Sequence, residues 1–403
     1  MVPKGWQKYA VGELCTSIVP GRNKPKVFDG DIPWVTTPEI NGRYIPSKLQ
    51  VNYVSTTALS DAGGKIVPKG AVVMAAVGEL GLIAITSEPV VLNQQLHAFV
   101  CSKLVNNEFL AYWLTTQKPY MESIASKTTI PYMNKTNCES IPVLLPPLAE
   151  QFKIARILST WDKAISVTEK FLANSQLQKK ALMQQLLTGK KRLLDENGVR
   201  FSGEWKRVKL GAIADMNSGG TPKSTVEEYY GGNIPWVSIS DMTSNGKWIA
   251  TTEKYLTELG LNSSSARIYP KNSVLYAMYA SIGECSIAAV NLTSSQAILG
   301  IRPKDCLNYE FLYFYLASLK EKIKLQGQQG TQSNLNAGMV KEFELDLPSI
   351  REQQKIATVL SAADDEIATL EKKLACLKDE KKALMQQLLT GKRRVKVDEA
   401  VAE

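Results

Sequence analysis

The feature that most constrains this chain of 403 residues is an internal duplication. Eleven residues, 180–190 (KALMQQLLTGK), recur without a change as residues 382–392, at an offset of 202. Further segments match at the same offset: residues 32–35 with 234–237, 66–69 with 268–271, and 145–151 with 347–353. Near the start of each copy the offset is 199, which pairs Trp6 with Trp205. A long-period repeat indicates two copies of one structural unit, so we expect two similar halves.

Each copy opens with a segment in which short apolar runs alternate with Gly, Pro, Asn and Ser turns. Residues 70–77 and 81–86 predict buried strands, and residues 109–114 and 311–316 predict short helices. We therefore predict a mixed α/β globule at the start of each copy. The predicted segments are residues 1–147 (first globule), 148–192 (central helical region), 193–349 (second globule), 350–396 (C-terminal helical region) and 397–403 (acidic tail).

A heptad pattern follows each globule. Core positions recur at steps of three and four residues, as in a coiled-coil seam. In the first copy its apolar members are Ile154, Leu158, Trp161, Ile165, Leu172, Leu182 and Leu186. In the second copy they are Ile356, Leu360, Ala363, Ile367, Leu370, Leu374, Leu377, Leu384 and Leu388. Ser349 and Glu352 form a capping-box pattern, and Gly189 and Gly391 stand where a left-handed residue ends a helix.

Two such helices joined by a globule pack most simply as an antiparallel pair, because the globule returns the chain. The predicted fold class is α+β: two mixed α/β globules separated by two long helices that form an intramolecular antiparallel coiled coil, with pseudo-two-fold symmetry. At about 1.5 Å per residue each helix is about 60 Å long. The alternative is that each helix packs on its own globule.

Composition removes several classes of protein. The apolar runs are too short to span a membrane, and the N-terminus lacks a secretory signal, so we expect a cytoplasmic protein. The six cysteines are scattered without a CxxC, and His97 is the single histidine. We therefore expect no metal site, no disulfide framework and no cofactor in this chain, and interpret His97 as structural.

The net charge of +9 is concentrated on the helical regions, which carry +6 and +4, whereas the globules carry +3 and −1. Extended positive charge suits a polyanion such as DNA, although single lysines there are also typical of a solvated helix face. Polar loops give candidate contacts: Arg22, Lys24 and Lys26 in the first globule, and Thr221, Lys223 and Ser224 in the second. Glycines beside the latter would let backbone N–H groups approach phosphates; an ordinary surface turn is the alternative.

A second polar segment lies late in each globule. We align residues 127–135 with residues 326–334, and both contain side chains that can recognise base edges. The candidates are Lys127, Thr128, Thr129, Asn134 and Lys135 in the first globule, and Gln328, Gln329, Thr331, Gln332 and Ser333 in the second. Aligned segments with different side chains indicate two surfaces that recognise different DNA sequences. The alternative is neutral sequence drift in a loop that tolerates substitution.

Catalytic signatures are missing from the sequence. There is no P-loop, no dinucleotide-binding glycine pattern and no amino-methyltransferase motif. The acidic residues 364–366 are interpreted as structural, placed in the first turns of a helix where they favour its dipole. The chain is predicted to be a recognition and scaffolding module.

The pattern resembles the specificity (S) subunit of type I restriction–modification systems. The motifs that carry the resemblance are Ile-Pro-Trp (32–34 and 234–236), Gly-Gly-Thr-Pro (219–222), Leu-Pro-x-x-x-Glu-Gln (145–151 and 347–353) and Gln-Gln-Leu-Leu-Thr-Gly (184–189 and 386–391). The first globule departs from the pattern at residues 20–25, and residues 92–95 (LNQQ) differ from residues 294–297 (SSQA).

The resemblance implies that each globule is a target recognition domain for one half of a bipartite, asymmetric site in double-stranded DNA. The helices would set the spacer and dock two methyltransferase (M) subunits and restriction (R) subunits. S-adenosylmethionine would bind the methyltransferase partner, and ATP and Mg the restriction partner, while this chain would supply no catalytic group and contact no membrane. The alternatives are a specificity subunit of another restriction class, a fused bifunctional enzyme and a coiled-coil scaffold that does not bind DNA.

Overall fold

The computed structural model describes residues 2–21, 23–46, 50–126, 129–328 and 335–397, with the side chains of residues 324 and 326–328 excepted. The chain divides into two compact units. The first unit comprises Met1–Glu169 together with Lys373–Glu403, and the second unit comprises Lys170–Lys372. Each unit therefore contains one globule and parts of both helical regions.

The first globule is built on a mixed sheet and a smaller sheet beside it. Its strands are β1 (Gln7–Ala10), β2 (Cys15–Ile18), β3 (Ile32–Val35), β4 (Tyr44–Ile45), β5 (Tyr53–Val54), β6 (Ile66–Val67), β7 (Val72–Ala75), β8 (Ile83–Thr86), β9 (Val90–Leu92), β10 (Leu96–Cys101) and β11 (Pro142–Leu145). The larger sheet has the order β2-β10-β7-β8-β4, the smaller one β5-β3-β9-β6, and β1 pairs with β11. The strands predicted at 70–77 and 81–86 are confirmed as β7 and β8.

The helices of the first globule are α1 (Val11–Leu14), α2 (Thr56–Asp61), α3 (Asn107–Thr116), α4 (Lys118–Ile124) and α5 (Lys135–Glu139). Helix α3 is the helix predicted at residues 109–114. The Asn106 side chain accepts a hydrogen bond from Phe109 N at its start, and residues Phe109–Leu114 are buried in the core. Burial of a continuous apolar face, rather than helix propensity, therefore stabilises this short helix.

After helix α6 (Leu148–Leu186), the second globule repeats this plan. Its strands are β12 (Lys206–Lys209), β13 (Ala214–Ser218), β14 (Tyr230–Val237), β15 (Trp248–Ile249), β16 (Lys254–Leu256), β17 (Val274–Ala277), β18 (Cys285–Ala288), β19 (Thr293–Ser294), β20 (Ile298–Pro303) and β21 (Glu344–Leu347). Its sheets have the orders β13-β20-β17-β18-β15, β16-β14-β19 and β12-β21.

The helices of the second globule are α7 (Leu210–Ile213), α8 (Ile239–Asn245), α9 (Glu258–Asn262), α10 (Tyr309–Gln328) and α11 (Ala337–Lys341). The prediction of a short helix at residues 311–316 is wrong in length, because α10 continues for 20 residues. Helix α12 (Ile350–Leu388) is the last helix in the described part of the chain.

Helices α6 and α12 are each 39 residues long. Gly189 and Gly391 have φ of +68° and +69°, so the predicted left-handed residues that follow the helices are confirmed. The capping box at the start of α12 is only half formed. Ser349 Oγ accepts the Glu352 N–H at 3.4 Å, but the Glu352 carboxylate bonds to Arg192 and Trp205 instead of returning to Ser349.

The predicted seam positions are all buried or half-buried, and the packing is antiparallel within each unit. In the first unit Lys381 pairs with Asp162, and Lys378 pairs with Glu169 at 2.8 Å. In the second unit Ser175 donates to Glu366 at 3.1 Å. Along each pair of segments residue numbers rise on one helix as they fall on the other, as an antiparallel coiled coil requires.

The ends of the seam differ from the expectation, because they belong to the cores of the globules. Ile154, Leu158 and Leu388 lie in the main core of the first unit, while Leu186, Ile356 and Leu360 lie in that of the second. The two alternatives are thus both realised: the helices pair with each other and also pack on the globules.

Residues 364–366 lie mid-helix, beginning fourteen positions into α12, so the placement of these acids in its first turns is wrong. Asp364 pairs with Lys179, and Glu366 accepts a hydrogen bond from Ser175. Their structural role comes from helix–helix pairing rather than from the helix dipole.

A cluster of charged and aromatic groups joins the globule to the helices in the first unit. The Tyr112 hydroxyl donates to Asp162 Oδ2, while Lys381 pairs with Oδ1 of the same carboxylate. Arg43 lies 3.4 Å from the centroid of the Tyr112 ring. Burial raises the pKa of Tyr112, so the hydroxyl remains protonated and continues to donate.

The second unit contains the same cluster without the hydroxyl. Phe314 occupies the position equivalent to Tyr112, and Lys179 pairs with Asp364 Oδ1. Asp364 Oδ2 is buried and has no hydrogen-bond partner among the described residues. An acceptor left unsatisfied in this way is a cost to stability.

We expect Phe314→Tyr to stabilise the second unit by about 1 kcal/mol, because the new hydroxyl can donate to Asp364 Oδ2. For a unit of this size that gain raises the unfolding midpoint by about 2–4 °C, measurable by thermal denaturation. Phe311→Tyr is the matched control: Phe311 is fully buried in the apolar core, so its hydroxyl is expected to destabilise. An unchanged or lowered midpoint for Phe314→Tyr would contradict the assignment.

Helices long and apolar enough to cross a membrane are not found in the described part of the chain. Within those same residues, no group of three or more His, Cys, Asp and Glu side chains is arranged to bind a metal ion.

Candidate nucleic-acid interface

The loop between β2 and β3 of the first globule carries two of the predicted basic contacts. The side chains of Lys24 and Lys26 are both exposed. Lys24 Nζ lies 5.5 Å from the centroid of the Phe28 ring, which itself packs edge-on against Trp34. Arg22, the third predicted contact, lies outside the described residues.

Two clefts open beside this loop. One, of about 310 Å³, is formed where separate segments of the globule meet. It is lined by Gly21, Asn23, Lys24, Trp34, Thr36, Asn52, Asn93, Gln94 and Gln95. The other, of about 470 Å³, is lined by both lysines, by Asp29 and by residues along α2 that include Asp61. The structure thus brings Lys24 together with amide side chains that are distant in sequence, whereas Lys26 lines the second cleft beside Asp29.

The amides come from the turn of residues 93–95, between β9 and β10. Gln95 Oε1 accepts from Thr37 Oγ1 and from Asn93 Nδ2, both at 3.2 Å. The backbone N–H of Gln95 donates to Asn93 Oδ1 at 3.2 Å. This turn was not among the predicted contacts. Its signal in the sequence was the difference between LNQQ and SSQA at equivalent positions.

The corresponding loop of the second globule follows β13 and contains Gly219 and Gly220. Their N–H groups donate to Ile298 O at 3.0 Å and to Ser294 O at 2.9 Å. A Cβ at Gly220 would overlap the backbone of Ser265 and Ala266. The N–H groups of these two glycines are therefore used inside the globule and are not available to phosphates, while the predicted phosphate contacts of the other loop residues stay predictions. The glycines are required for close backbone packing.

The same packing occurs in the first globule. A Cβ at Gly21, the equivalent of Gly220, would lie 2.6 Å from the carbonyl oxygen of Gly63, the equivalent of Ser265. The loops of both globules are thus seated on the same part of the fold, although their sequences differ.

The side chains of the second loop remain exposed. Thr221, Lys223 and Ser224 project from it, and the Thr221 hydroxyl donates to Gln296 Oε1. Pro222 is buried, and its carbonyl accepts the Tyr230 hydroxyl at 2.8 Å. Burial raises the pKa of Tyr230, so this hydroxyl stays protonated. Gln296 is a further polar group that was not among the predicted contacts.

A basic groove lies along β13 in the second unit. It measures about 470 Å³, and its cations are Arg267, Arg302 and Lys341. Asp215 is an acidic neighbour, 3.7 Å from Arg302 in an exposed ion pair. The equivalent positions of the first globule hold Lys65, Val100 and Glu139. The near-neutral net charge of the second globule therefore conceals a local concentration of positive charge.

The late polar segments are less well placed for recognition than predicted. Asn134 caps α5, its side chain accepting from Asn137 N at 2.8 Å, and Lys135 pairs with Glu139 at 3.5 Å. Thr129 is exposed. Lys127, Thr128, Gln329, Thr331, Gln332 and Ser333 lie outside the described residues, and Gln328 is described only as the last residue of α10.

The alignment of these segments is also wrong by three residues. Met133 N donates to Ala76 O, and Leu335 N donates to Met278 O, both across the offset of 202. Asn336 caps α11 through Met339 N as Asn134 caps α5. The equivalent of Asn134 is therefore Asn336, a structural residue in both globules, and not Ser333.

The fold and these loops define a class of protein: a duplicated chain that carries two similar, chemically different polar surfaces on a paired-helix scaffold. The family model described as type I restriction modification DNA specificity domain matches residues 3–174 and again residues 202–379. The chain therefore belongs to this family, as the sequence motifs predicted, and the predicted fold class is confirmed.

The relatives agree with this membership. The chain is 37% identical over 172 residues to the type I restriction enzyme MjaIX specificity subunit of Methanocaldococcus jannaschii, a match that covers 42% of this chain and 40% of that protein. It is 29% identical over 311 residues to the MjaVIII specificity subunit of the same organism, covering 73% and 72%. The first match thus spans less than half of the relative's length.

A solved structure shares the fold across the whole chain. The S subunit of a type I restriction–modification system from M. genitalium superposes with a TM-score of 0.61 at 16% identity, and the match covers 96% of both chains. At this identity the likeness concerns the fold. The domain boundaries and the individual DNA contacts remain predictions.

Proposed function

We propose that this chain is the DNA sequence-recognition subunit of a type I restriction–modification complex. Each globule would recognise one half of a bipartite, asymmetric site in double-stranded DNA. The observation that carries the proposal is the family match to each half, combined with equivalent loops whose side chains differ. At equivalent positions the first globule has Asn93 and Gln95 where the second has Ser295 and Ala297, whereas Lys24 and Lys223 are equivalent residues of the same type.

The chemistry of these surfaces supports duplex DNA as the ligand. Lysine and arginine bind phosphates without regard to sequence, whereas asparagine and glutamine amides recognise base edges in the major groove. The basic groove with Arg267, Arg302 and Lys341 offers phosphate contacts to the second globule. This local charge favours DNA binding over the scaffold alternative.

The paired helices support a fixed spacing between the two half-sites. Stiff elements that carry two recognition surfaces set the separation of the sequences they bind. We further propose that the helices dock two methyltransferase subunits and restriction subunits. The chemistry would then belong to those partners, with S-adenosylmethionine on the former and ATP and Mg on the latter, and this chain would contribute no catalytic group.

The test is selection of bound sequences from a random duplex library, using the chain together with its methyltransferase subunits. Two different short motifs at one constant separation are expected. A single contiguous motif would mean that only one globule recognises DNA. Absence of any enrichment would overturn the proposal in favour of the scaffold alternative.

Lys223→Ala is expected to weaken DNA binding about equally for all sequences, because an exposed lysine beside the loop acts as a phosphate contact. The slope of log K against log salt should fall in magnitude by about 1. Binding titrations at several salt concentrations measure both effects. Loss of preference at one base position, with an unchanged salt slope, would show that Lys223 contacts a base instead.

A further inference from the structure

We propose that Gln94 is a base-recognition residue of the first globule and that it binds adenine in the major groove through a bidentate contact of its amide. This inference rests on the proposed function of the chain, since it assigns one residue of one recognition surface. Three observations support it: the fixed position of Gln94, the free hydrogen-bonding groups of its amide, and the contrast with the equivalent residue Gln296.

The position of Gln94 is rigid although its side chain is exposed. It lies at the tip of a turn whose neighbours Leu92 and Leu96 are fully buried. Backbone bonds tie the turn to the sheets: Asn93 N donates to Val35 O at 3.0 Å, and Ala76 N donates to Gln95 O at 2.8 Å. A recognition residue needs such a support, because binding then orders few additional groups.

The side-chain carbonyl oxygens of the two flanking amides are occupied by hydrogen bonds within the globule. Asn93 and Gln95 bond to each other, and Gln95 also accepts from Thr37. The Gln94 amide, by contrast, has no hydrogen-bond partner among the described residues and borders the cleft beside Lys24. Its N–H donors and its carbonyl acceptor are both available for a ligand.

A free carboxamide matches one base more closely than the others. Adenine presents the N7 acceptor beside the N6 donor in the major groove, and glutamine can satisfy both atoms at once. Lys24, which lines the same cleft, suits a phosphate or a guanine edge. The cleft thus contains one side chain that can bind a base edge, Gln94, and one that can bind the neighbouring phosphate backbone, Lys24.

The equivalent residue of the second globule is constrained differently. Gln296 lies at the offset of 202 from Gln94, and its Oε1 accepts the Thr221 hydroxyl. The N–H donors of Gln296 are therefore the groups it presents outward, a pattern suited to acceptors such as guanine O6 and N7 or thymine O4. One residue type at equivalent positions can in this way recognise different bases in the two half-sites.

The experiment is selection from the random duplex library with the chain and its methyltransferase subunits, comparing the wild type, Gln94→Ala and Gln94→Glu. Gln94→Ala is expected to abolish preference for one adenine in one motif, reducing discrimination there roughly 10- to 100-fold. Gln94→Glu should shift that position towards cytosine, because a carboxylate accepts from cytosine N4. The other motif and the spacing should be unchanged, which also shows that each variant is folded.

Gln296→Ala is the matched control, since its effect should fall on the other motif alone. The inference is overturned if Gln94→Ala retains the wild-type preference at every position while both motifs are still enriched, or if the altered position is not an adenine. Those outcomes leave the proposed function standing. Failure of the wild type to enrich any motif would instead remove the proposed function and this inference together.

Discussion

Gly220→Ala is expected to eliminate sequence preference in one half-site and to leave the other half-site unaffected. The added Cβ would overlap the backbone nitrogen of Ala266 and the backbone carbon of Ser265, and backbone atoms cannot rotate away as a flexible side chain can. The loop must then move away from residues 265 and 266, and this movement separates Thr221 from Gln296. The second unit should lose about 3 kcal/mol of stability, the upper range for overpacking.

Gly203→Ala is the control for Gly220→Ala, because a Cβ at Gly203 meets nothing within 4 Å. Thermal unfolding and library selection should both be measured. Thermal unfolding measures the loss of stability in the absence of DNA, and library selection measures the consequence for DNA recognition. If Gly220→Ala has the unfolding midpoint of the wild type and still selects both DNA motifs, then close packing of the loop is not the reason for glycine at this position.

Arg192→Ala is expected to destabilise the second unit by about 3 kcal/mol, since it removes the cation from a buried pair. The Glu352 side chain is only 2% exposed and accepts two hydrogen bonds from the Arg192 guanidinium, at 2.6 Å and 2.7 Å. Without Arg192, the Glu352 carboxylate keeps a hydrogen bond from Trp205 Nε1, a neutral donor at 3.1 Å. At about 2–4 °C per kcal/mol, the unfolding midpoint should fall by roughly 10 °C.

Arg207→Ala provides the comparison for Arg192→Ala. Arg207 also pairs with a carboxylate, that of Asp346 at 3.0 Å, but both side chains are largely exposed. Water and salt screen an exposed pair of this kind, so the unfolding midpoint of Arg207→Ala should change little. Equal effects of the two substitutions would contradict the distinction between the buried and the exposed pair.

The Arg192 pair is one of two equivalent pairs. In the first unit Arg394 bonds to the buried carboxylate of Glu150 and to the carbonyl oxygen of Lys4 at 2.8 Å. Arg394 and Glu150 lie at the offset of 202 from Arg192 and Glu352 with the order reversed along the chain. The duplicated motif Glu-Gln at the start of each helix was visible in the sequence. Its arginine partner was not, because Arg192 lies 160 residues before Glu352 in one copy and Arg394 lies 244 residues after Glu150 in the other.

Local patterns predicted the parts of the fold that depend on local spacing. The seam from Ile165 to Leu182 follows from heptad steps, and the left-handed residues Gly189 and Gly391 just after the helices follow from glycine's tolerance of positive φ. The strands β7 and β8 follow from continuous apolar runs. These features can be predicted without knowing which residues distant in sequence become neighbours in the fold.

The candidate site was predicted less completely. Lys24, Lys223 and their loops were located correctly as exposed polar segments, but the turn at residues 93–95 was noted only as a difference between the copies. Its importance depends on contact with a loop some 70 residues earlier. The glycines at 219 and 220 were assigned the wrong reason, because the acceptors of their N–H groups, Ser294 and Ile298, are about 75 residues away.

The sequence by itself determined the duplication, the helical seams and the family, since each is a matter of order and spacing along the chain. Tertiary structure alone decided which amides are free and which are occupied. Gln94 and Gln296 are identical in type and equivalent in position, yet one is unpartnered among the described residues and the other accepts a hydroxyl. The physical reason is that hydrogen-bond availability depends on what the fold places within about 3 Å of an atom.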